Sequence, residues 1–274
     1  MSKILCSTGA LIGRPNNRDY RLLKELSGKL SCDGFEFMMY STWYPEKERL
    51  IDALLSYGLF IPVIHCDKLL GESFALGEAS EEYNNAVSLF ETNCIIGKAL
   101  GAKKAVLHLW NGLISDKHIE NNIKVYSVLA QIAKNYSLTL LIENVVCNGK
   151  DPFFHWTSLK EMYPDISFIF DTKMAAFHGQ LDLLYSEEYS WLNEEKHILH
   201  YHVNDYGGGY KDWKNLRTLP IGQGSIDFER FFRFVNSKGY NDTFTVESTA
   251  FDETGKVDTE MLNRQFDLLR ASLN

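Results

Sequence analysis

Short apolar segments rich in β-branched residues recur along the chain, and longer polar–apolar stretches separate them. Runs of this length and composition predict β-strands. Eight of them are present, at residues 3–8, 34–38, 61–65, 105–109, 139–143, 166–171, 198–203 and 243–247.

The stretches between these runs carry helical periodicity. The clearest is 81–100, where apolar residues fall at the three-and-four spacing of one buried helix face: Tyr83, Ala86, Val87, Phe90, Cys94 and Ile95. Further helices are predicted over 20–30, 45–57 and 115–136, from about Phe228, and through Met261 to Leu273.

Strands that alternate with helices predict a parallel sheet, because each parallel connection needs a crossover. Eight units in 274 residues give about 34 residues per unit, a normal βα repeat. We therefore expect a (β/α)8 TIM barrel that forms a single domain over residues 1–274. An open doubly wound sheet lacks support, since no Gly-x-Gly-x-x-Gly motif follows the first strand.

Composition narrows the partners. Acidic residues outnumber basic ones by 36 to 28, and the resulting net charge of −8 disfavours nucleic acid as a partner. No apolar run is long enough to predict a membrane-spanning helix, and Met1-Ser2-Lys3 begins no signal-peptide pattern. The five cysteines are scattered without a Cys-x-x-Cys pair. We expect a cytoplasmic protein that binds a small molecule, with a homo-oligomer left open.

Polar side chains close six of the eight apolar runs. In a barrel the C-terminal strand ends surround one mouth, so these side chains should converge there. A single polar residue at a strand end is more often a turn former or helix cap, but six in register indicate a shared site. They are His65, His108, Glu143, Asp171, His202 and Glu247.

Three carboxylates brought together repel one another unless a cation neutralises them. Carboxylate oxygens with imidazole nitrogens suit Mn²⁺, Zn²⁺, Mg²⁺ or Co²⁺. Because no cysteine is among the candidate ligands, a purely structural zinc site is disfavoured. The sequence therefore predicts one divalent metal ion at the mouth of the barrel.

Four segments resemble the xylose-isomerase-like barrel superfamily, which includes sugar isomerases and epimerases, inosose dehydratases and nucleases of the endonuclease IV type. They are Ile142-Glu143-Asn144, Phe170-Asp171-Thr172, His202-Val203-Asn204-Asp205 with the stretch 220–228, and Val246-Glu247-Ser248. The resemblance implies that Glu143, Asp171, His202 and Glu247 hold the metal and that Glu143 and Glu247 are the catalytic acid and base. A metal that bridges a carbonyl and a neighbouring hydroxyl acidifies the intervening C–H and stabilises an enediolate.

Some positions depart from the family pattern. Met174 stands where relatives usually carry a substrate-binding histidine, and nearby His178 either substitutes for it or lies on a helix surface. His200 is a rival to His202 because residues two apart on a strand face the same side. We prefer His202, which lies nearer the strand end, and expect His200 to be a core histidine one layer down.

His65 and His108 allow two interpretations. In the nuclease branch the corresponding histidines hold a second metal ion, and such an ion could bind here too. In sugar-active members such histidines contact substrate hydroxyls. We slightly prefer this second interpretation. The third zinc site of the nucleases cannot form, because Leu216-Arg217-Thr218 replaces its Asp-x-His and Met174 replaces its histidine.

Two further features could contact a ligand. Trp110, with Trp156, could form an apolar wall for a sugar ring or pack against loops. The Gly222-Gln223-Gly224 turn could cradle a phosphate, but it more readily leads into a helix capped by Asp227.

The sequence thus favours a metal-dependent isomerase or epimerase that acts on a small sugar or polyol carbonyl compound. A dehydratase of the inosose type uses the same proton abstraction and remains a near alternative. An endonuclease IV-like phosphodiester hydrolase and a non-catalytic sugar-binding barrel are the other classes considered.

Overall fold

The computed structural model describes residues 2–273, and its parallel strands close into a barrel in which each strand pairs with the next and β8 pairs with β1. This confirms the predicted (β/α)8 TIM barrel. The strands are β1 Lys3–Ser7, β2 Gly34–Met38, β3 Val63–His65, β4 Lys104–Leu107, β5 Thr139–Glu143, β6 Ser167–Asp171, β7 Ile198–His202 and β8 Thr243–Val246.

The described residues form eleven α-helices, ten of them between consecutive strands and the last after β8. They are α1 Leu23–Leu26, α2 Lys47–Ser56, α3 Leu70–Phe74, α4 Glu81–Ala99, α5 Leu113–Lys117, α6 Ile119–Asn135, α7 Pro152–Met162, α8 Thr172–Phe177, α9 Trp191–Glu194, α10 Phe228–Ser237 and α11 Thr259–Ser272. Within this part of the chain, no helix combines the length and apolar character needed to cross a membrane.

Helix α4 has nearly the predicted extent, and its start follows from local chemistry. The Ser80 side chain accepts a hydrogen bond from the Tyr83 amide at 3.0 Å, which caps the first turn. The predicted face is buried at Tyr83, Ala86, Phe90 and Cys94, whereas Val87 is half-buried and Ile95 is exposed. The face rotates with the 3.6-residue period of the helix, so Ile96 takes the inward position instead.

Other helices differ from the predictions. The predicted helix 115–136 is two helices, α5 and α6, because His118 has the non-helical angles φ −132° and ψ 34°. The predicted helix 20–30 contains only one short α-helix between two 3₁₀ turns, at Tyr20–Leu22 and Ser27–Lys29. Around Pro45 the chain is also 3₁₀, so α2 begins at Lys47.

The barrel interior is apolar at its lower level and polar above. Leu5, Val63, Val106, Leu141 and Ile169 form a buried cluster inside the strands. This cluster supports the polar side chains at the C-terminal strand ends. Strand β4 ends two residues earlier than predicted and β8 one residue earlier, so His108 and Glu247 directly follow these strands.

Candidate metal and substrate site

Four side chains that are far apart in sequence meet at the top of the barrel. Glu143, Asp171, His202 and Glu247 each offer a ligand atom, and these atoms lie within 4.8 Å of one another. The Nδ1 atom of His202 lies 3.4 Å from Oε1 of Glu143, 3.8 Å from Oδ2 of Asp171 and 3.3 Å from Oε2 of Glu247. The residues that the sequence assigned to the metal are therefore brought together.

Several buried polar atoms in this cluster have no hydrogen-bond partner among the described residues. Such atoms are costly to bury unless another group satisfies them, and a cation bound between them would do so. Oxygen and imidazole nitrogen donors together fit a divalent ion such as Mn²⁺ or Zn²⁺. The atoms are Oε2 of Glu143, Oδ2 of Asp171, Nδ1 of His202, Nε2 of His65 and Nε2 of His108.

His65 and His108 form a second group around Glu143. Their Nε2 atoms lie 3.3 Å and 3.0 Å from Oε2 of Glu143. The Nδ1 atom of His65 lies 2.8 Å from the carbonyl oxygen of Cys66. Because a carbonyl only accepts, Nδ1 carries the proton and Nε2 keeps a lone pair. Glu143 therefore faces His202 with one oxygen and the pair of histidines with the other.

Burial and neighbouring charges set the ionisation of the cluster. Burial opposes the charged form of Glu143, but His108 and His202 hold its pKa well below the usual value. Burial also opposes protonation of His202, yet Glu247, Glu36 and Glu143 raise its pKa well above the usual value.

Two other members shift toward their neutral forms. Burial, with repulsion from Glu143 and Glu247, raises the pKa of Asp171 to about 6 despite nearby Lys173. Burial lowers the pKa of His108 to about 4, so this ring is neutral near pH 7.

Side-chain amides hold the strand ends in place. Asn144 accepts a hydrogen bond from the Asp171 amide at 2.7 Å and donates to the Asp171 carbonyl at 3.0 Å. Asn204 accepts from the Glu247 amide at 2.9 Å. Oδ1 of Asp171 also caps α8 by accepting from the Met174 amide at 2.8 Å, which leaves Oδ2 for the cluster.

Sequence reasoning missed Glu36, a fully buried carboxylate in the middle of β2. Its Oε1 lies 2.9 Å from Nε2 of His202, and its Oε2 lies 2.8 Å from Nε2 of His200. Thr245 donates to the same Oε2 at 2.7 Å. The signal available in the sequence was a charged residue inside the apolar run Gly34–Met38, since such a residue is rarely buried without a partner.

A cavity of about 380 Å³ opens beside the cluster. Glu247 is the one member of the four-residue cluster in its lining. Four cationic side chains also line it, and none of them was selected from the sequence: Arg14, Arg18, Lys68 and Lys173.

None of the predicted substrate contacts lines this cavity. His178 is buried, with Nδ1 2.8 Å from Oδ1 of Asp151 and Nε2 accepting from the Cys147 amide at 3.2 Å. Trp110 is buried and donates from its indole to the Val145 carbonyl at 3.3 Å. His65, His108, His178, Trp110 and Trp156 are all absent from the lining of the cavity.

The Gly222-Gln223-Gly224 turn is already bound to a carboxylate. Oδ2 of Asp205 accepts from the amides of Gly222 and Gly224 at 2.9 Å and 2.8 Å, and Oδ1 accepts from Ile226 at 3.1 Å. These amides are therefore engaged within the protein. The turn leads into α10, where Asp227 accepts from the Arg230 amide at 2.9 Å, as its predicted capping role requires.

Comparisons with known proteins agree with this architecture. A family model described as a xylose isomerase-like TIM barrel matches residues 25–270. No curated protein sequence matches the chain.

Solved structures extend the likeness in fold over nearly the whole chain. A D-tagatose 3-epimerase-like protein shares 18% identity with a TM-score of 0.67, with 98% of this chain and 96% of that chain covered. A D-allulose 3-epimerase from Methylomonas sp. in complex with D-allulose shares 13% identity with a TM-score of 0.70, covering 99% and 97%. The IolI protein with a bound zinc atom shares 18% with a TM-score of 0.70, covering 98% and 96%.

Proposed function

Since the chain belongs to the xylose isomerase-like TIM barrel family, we propose that it is a metal-dependent isomerase or epimerase that moves a proton next to the carbonyl of a sugar or related polyol. The observation that carries this proposal is the convergence of Glu143, Asp171, His202 and Glu247 on one point beside a cavity. These four residues would hold the ion.

A bound divalent ion would polarise the substrate carbonyl and favour the enediolate formed when the neighbouring carbon loses its proton. Glu247 lines the cavity, so its carboxylate can take a proton from a bound substrate. Glu143 lies beside the same nitrogen of His202, at 3.4 Å, and supplies the second carboxylate. Its depressed pKa keeps it ionised at neutral pH.

His65 and His108 are assigned to Glu143 rather than to the substrate. His65 is fully buried, His108 nearly so, and both Nε2 atoms face Oε2 of Glu143. We propose that they either orient this carboxylate or complete a second ion site with it. Metal analysis of the wild type and of His65→Ala separates the two roles, because the bound metal falls from two ions to one only if a second site exists.

A phosphodiester hydrolase is the second candidate, favoured by the His65, His108 and Glu143 group. Against it, Lys173 donates to Thr218 at 3.0 Å, beside Met174, in the region that a nuclease-type third metal would require. An ammonium group there repels a cation. We therefore rank the hydrolase below proton transfer on a carbonyl compound.

The test is exchange of carbon-bound hydrogen with solvent. The metal-loaded protein is incubated in heavy water with ketoses, aldoses and inososes, each also supplied as a monophosphate where one exists, and followed by NMR. We expect label next to the carbonyl, or isomerised product where the proton is transferred internally. Asp171→Asn should abolish either signal, whereas Asp182→Asn, an exposed carboxylate paired with Arg230, should not. Neither label nor product from any compound would contradict the proposal.

A further inference from the structure

Four cationic side chains lie at the mouth of the barrel, in a protein whose net charge is negative. We call Arg14, Arg18, Lys68 and Lys173 the cationic rim; all four line the cavity that Glu247 also lines. Among residues 2–273, none of the four forms an ion pair with a carboxylate. The cavity lining also contains the carboxylates Asp67 and Glu247. Four cations without a direct ion pair outnumber them there, in a chain with a net charge of −8, and can attract an anion.

Arg18 is held in place without using its full hydrogen-bonding capacity. Its guanidinium lies over the ring of Tyr40 at 4.8 Å, and Tyr40 is itself fixed by donating to the Ile12 carbonyl at 2.8 Å. The Trp43 indole donates to the Arg18 carbonyl at 3.0 Å. The Nε atom of Arg18 is buried and has no hydrogen-bond partner among the described residues. This donor needs an acceptor, which a ligand in the cavity can supply.

The Arg18 backbone supports the same conclusion. Its φ of 54° lies in the left-handed region, which residues other than glycine rarely adopt. The Arg18 amide donates to the Gly13 carbonyl at 2.8 Å, which stabilises this conformation. An unusual backbone angle held by surrounding contacts is typical of functional positions.

Lys68 and Lys173 extend the rim toward the carboxylates. Burial works against a charged Lys68, but Glu247 and Glu143 raise its pKa above the usual value, so the ammonium is retained. Lys173 is buried apart from a small fraction and donates to Thr218. Lys173 is thus held in place by Thr218, and the half-buried Lys68 lines the same cavity as Glu247.

We propose that the substrate carries a phosphate monoester, which the guanidinium of Arg18 binds together with Lys68 and Arg14. The carbonyl end of this substrate would lie at Glu247. This placement of the carbonyl end rests on the proposed function. A phosphate presents several acceptor oxygens, which suit the planar fork of arginine and the point charge of lysine. The rim and Glu247 line one cavity, so a single ligand of sugar size can reach both.

The experiment compares matched neutral and anionic sugars on the metal-loaded full chain by calorimetry. The pairs are D-fructose with D-fructose 6-phosphate and D-ribulose with D-ribulose 5-phosphate; D-glucuronate is the carboxylate probe. We expect each phosphate to bind about 10-fold or more tightly than its neutral partner, the scale of a charge-assisted hydrogen bond.

Variants assign the preference to the rim. Arg18→Gln and Lys68→Gln should each weaken binding of the phosphorylated sugar by about 10-fold or more, and should weaken binding of the neutral sugar by a smaller factor. Arg21→Gln is the matched control, since Arg21 lies near Arg18 in sequence but pairs with Asp19 outside this cavity. Circular dichroism checks folding, and Arg14→Gln, which alters an exposed side chain, serves where a buried variant fails to fold.

Four results would overturn the assignment. They are no preference for phosphate, a preference that survives in the rim variants, glucuronate binding as tightly as the phosphates, and rim-dependent binding of duplex DNA that exceeds that of the phosphorylated sugars. A phosphate preference that depends on the rim but occurs without hydrogen exchange would instead contradict the proposed function alone. Hydrogen exchange on neutral sugars without any preference would contradict the phosphate assignment alone.

Discussion

The Nε2 atom of His202 lies 2.9 Å from Oε1 of Glu36, while Nδ1 of the same ring faces Glu143, Asp171 and Glu247. When Nε2–H donates to Glu36, the lone pair at Nδ1 is free for a metal ion. A carboxylate behind a ligating histidine fixes its tautomer and its orientation and raises its basicity. Glu36 is therefore a positioning residue, which acts on the site through His202.

Glu36→Gln should lower metal affinity by about 10- to 100-fold, the range found when such a partner of a metal-bound histidine is lost. The amide keeps the size of the side chain but removes the charge that orients the imidazole. Competition with a fluorescent chelator measures the affinity for Zn²⁺ and Mn²⁺. Glu229→Gln, on the surface, is the control. Unchanged metal affinity in Glu36→Gln would show that metal binding by His202 does not depend on the charge of Glu36.

Metal affinity should rise as the pH increases from 5 to 7. The pKa of Asp171 is about 6 in the metal-free protein, so this ligand is protonated at low pH and must ionise to bind. His202, whose pKa is raised, must lose its Nδ1 proton as well, which makes the rise steeper. Ionisation of Asp171 alone gives a change of about tenfold over this interval. Chelator competition at each pH tests this, and a flat profile would mean that neither proton competes with the ion.

The protein should not cleave DNA that contains an abasic site. Met174, Leu216 and Thr218 stand where the resemblance to the nucleases would place ligands of a third metal, and Lys173 lies beside two of these positions. Gel electrophoresis of a labelled duplex, with Zn²⁺ or Mn²⁺ at moderate salt, measures nicking. Robust cleavage that requires the added metal would promote the hydrolase over the isomerase.

Gly224→Ala should destabilise the protein by about 1–3 kcal/mol, the usual cost of forcing extra atoms into packed space. A β-carbon there would collide with Oδ1 of Asp205 and lie 2.5 Å from the Tyr206 carbonyl oxygen. Chemical denaturation measures the free energy of unfolding. Gly149→Ala is the control, because its β-carbon would have no neighbour within 4 Å. Equal stability of the two variants would mean that the Asp205 turn tolerates displacement.

The barrel and the convergence of polar strand ends at its mouth could be predicted because both follow from local order, whereas the choice of four metal ligands among them came from the family resemblance. Strand runs that each end in a ligand-type residue specify which side chains share the mouth, as for Glu143 and Asp171. Glu36 escaped because it lies mid-strand, where its apolar neighbours dominate the pattern. Arg18 and Lys68 escaped because they lie in loops, where only the three-dimensional path of the chain shows that they face the cavity.

Trp110 and His178 illustrate the opposite limit. Trp110 comes soon after β4 and His108, and His178 comes soon after β6 and Asp171, so position in sequence placed them near the substrate. In the structure each turns into the protein, Trp110 toward the Val145 carbonyl and His178 toward Asp151. The direction of a side chain in a loop depends on tertiary packing, which a strand pattern does not encode.

The most direct test of the account measures solvent hydrogen exchange at the substrate carbon in the wild type, Glu143→Gln and Glu247→Gln, with bound metal determined in each. Glutamine keeps an oxygen near the ion and removes the proton carrier. We predict that each variant loses roughly 10²-fold or more in exchange rate while metal remains bound, the scale of a general acid–base group. Normal exchange by both metal-loaded variants would contradict the account, because these carboxylates would then be ligands only.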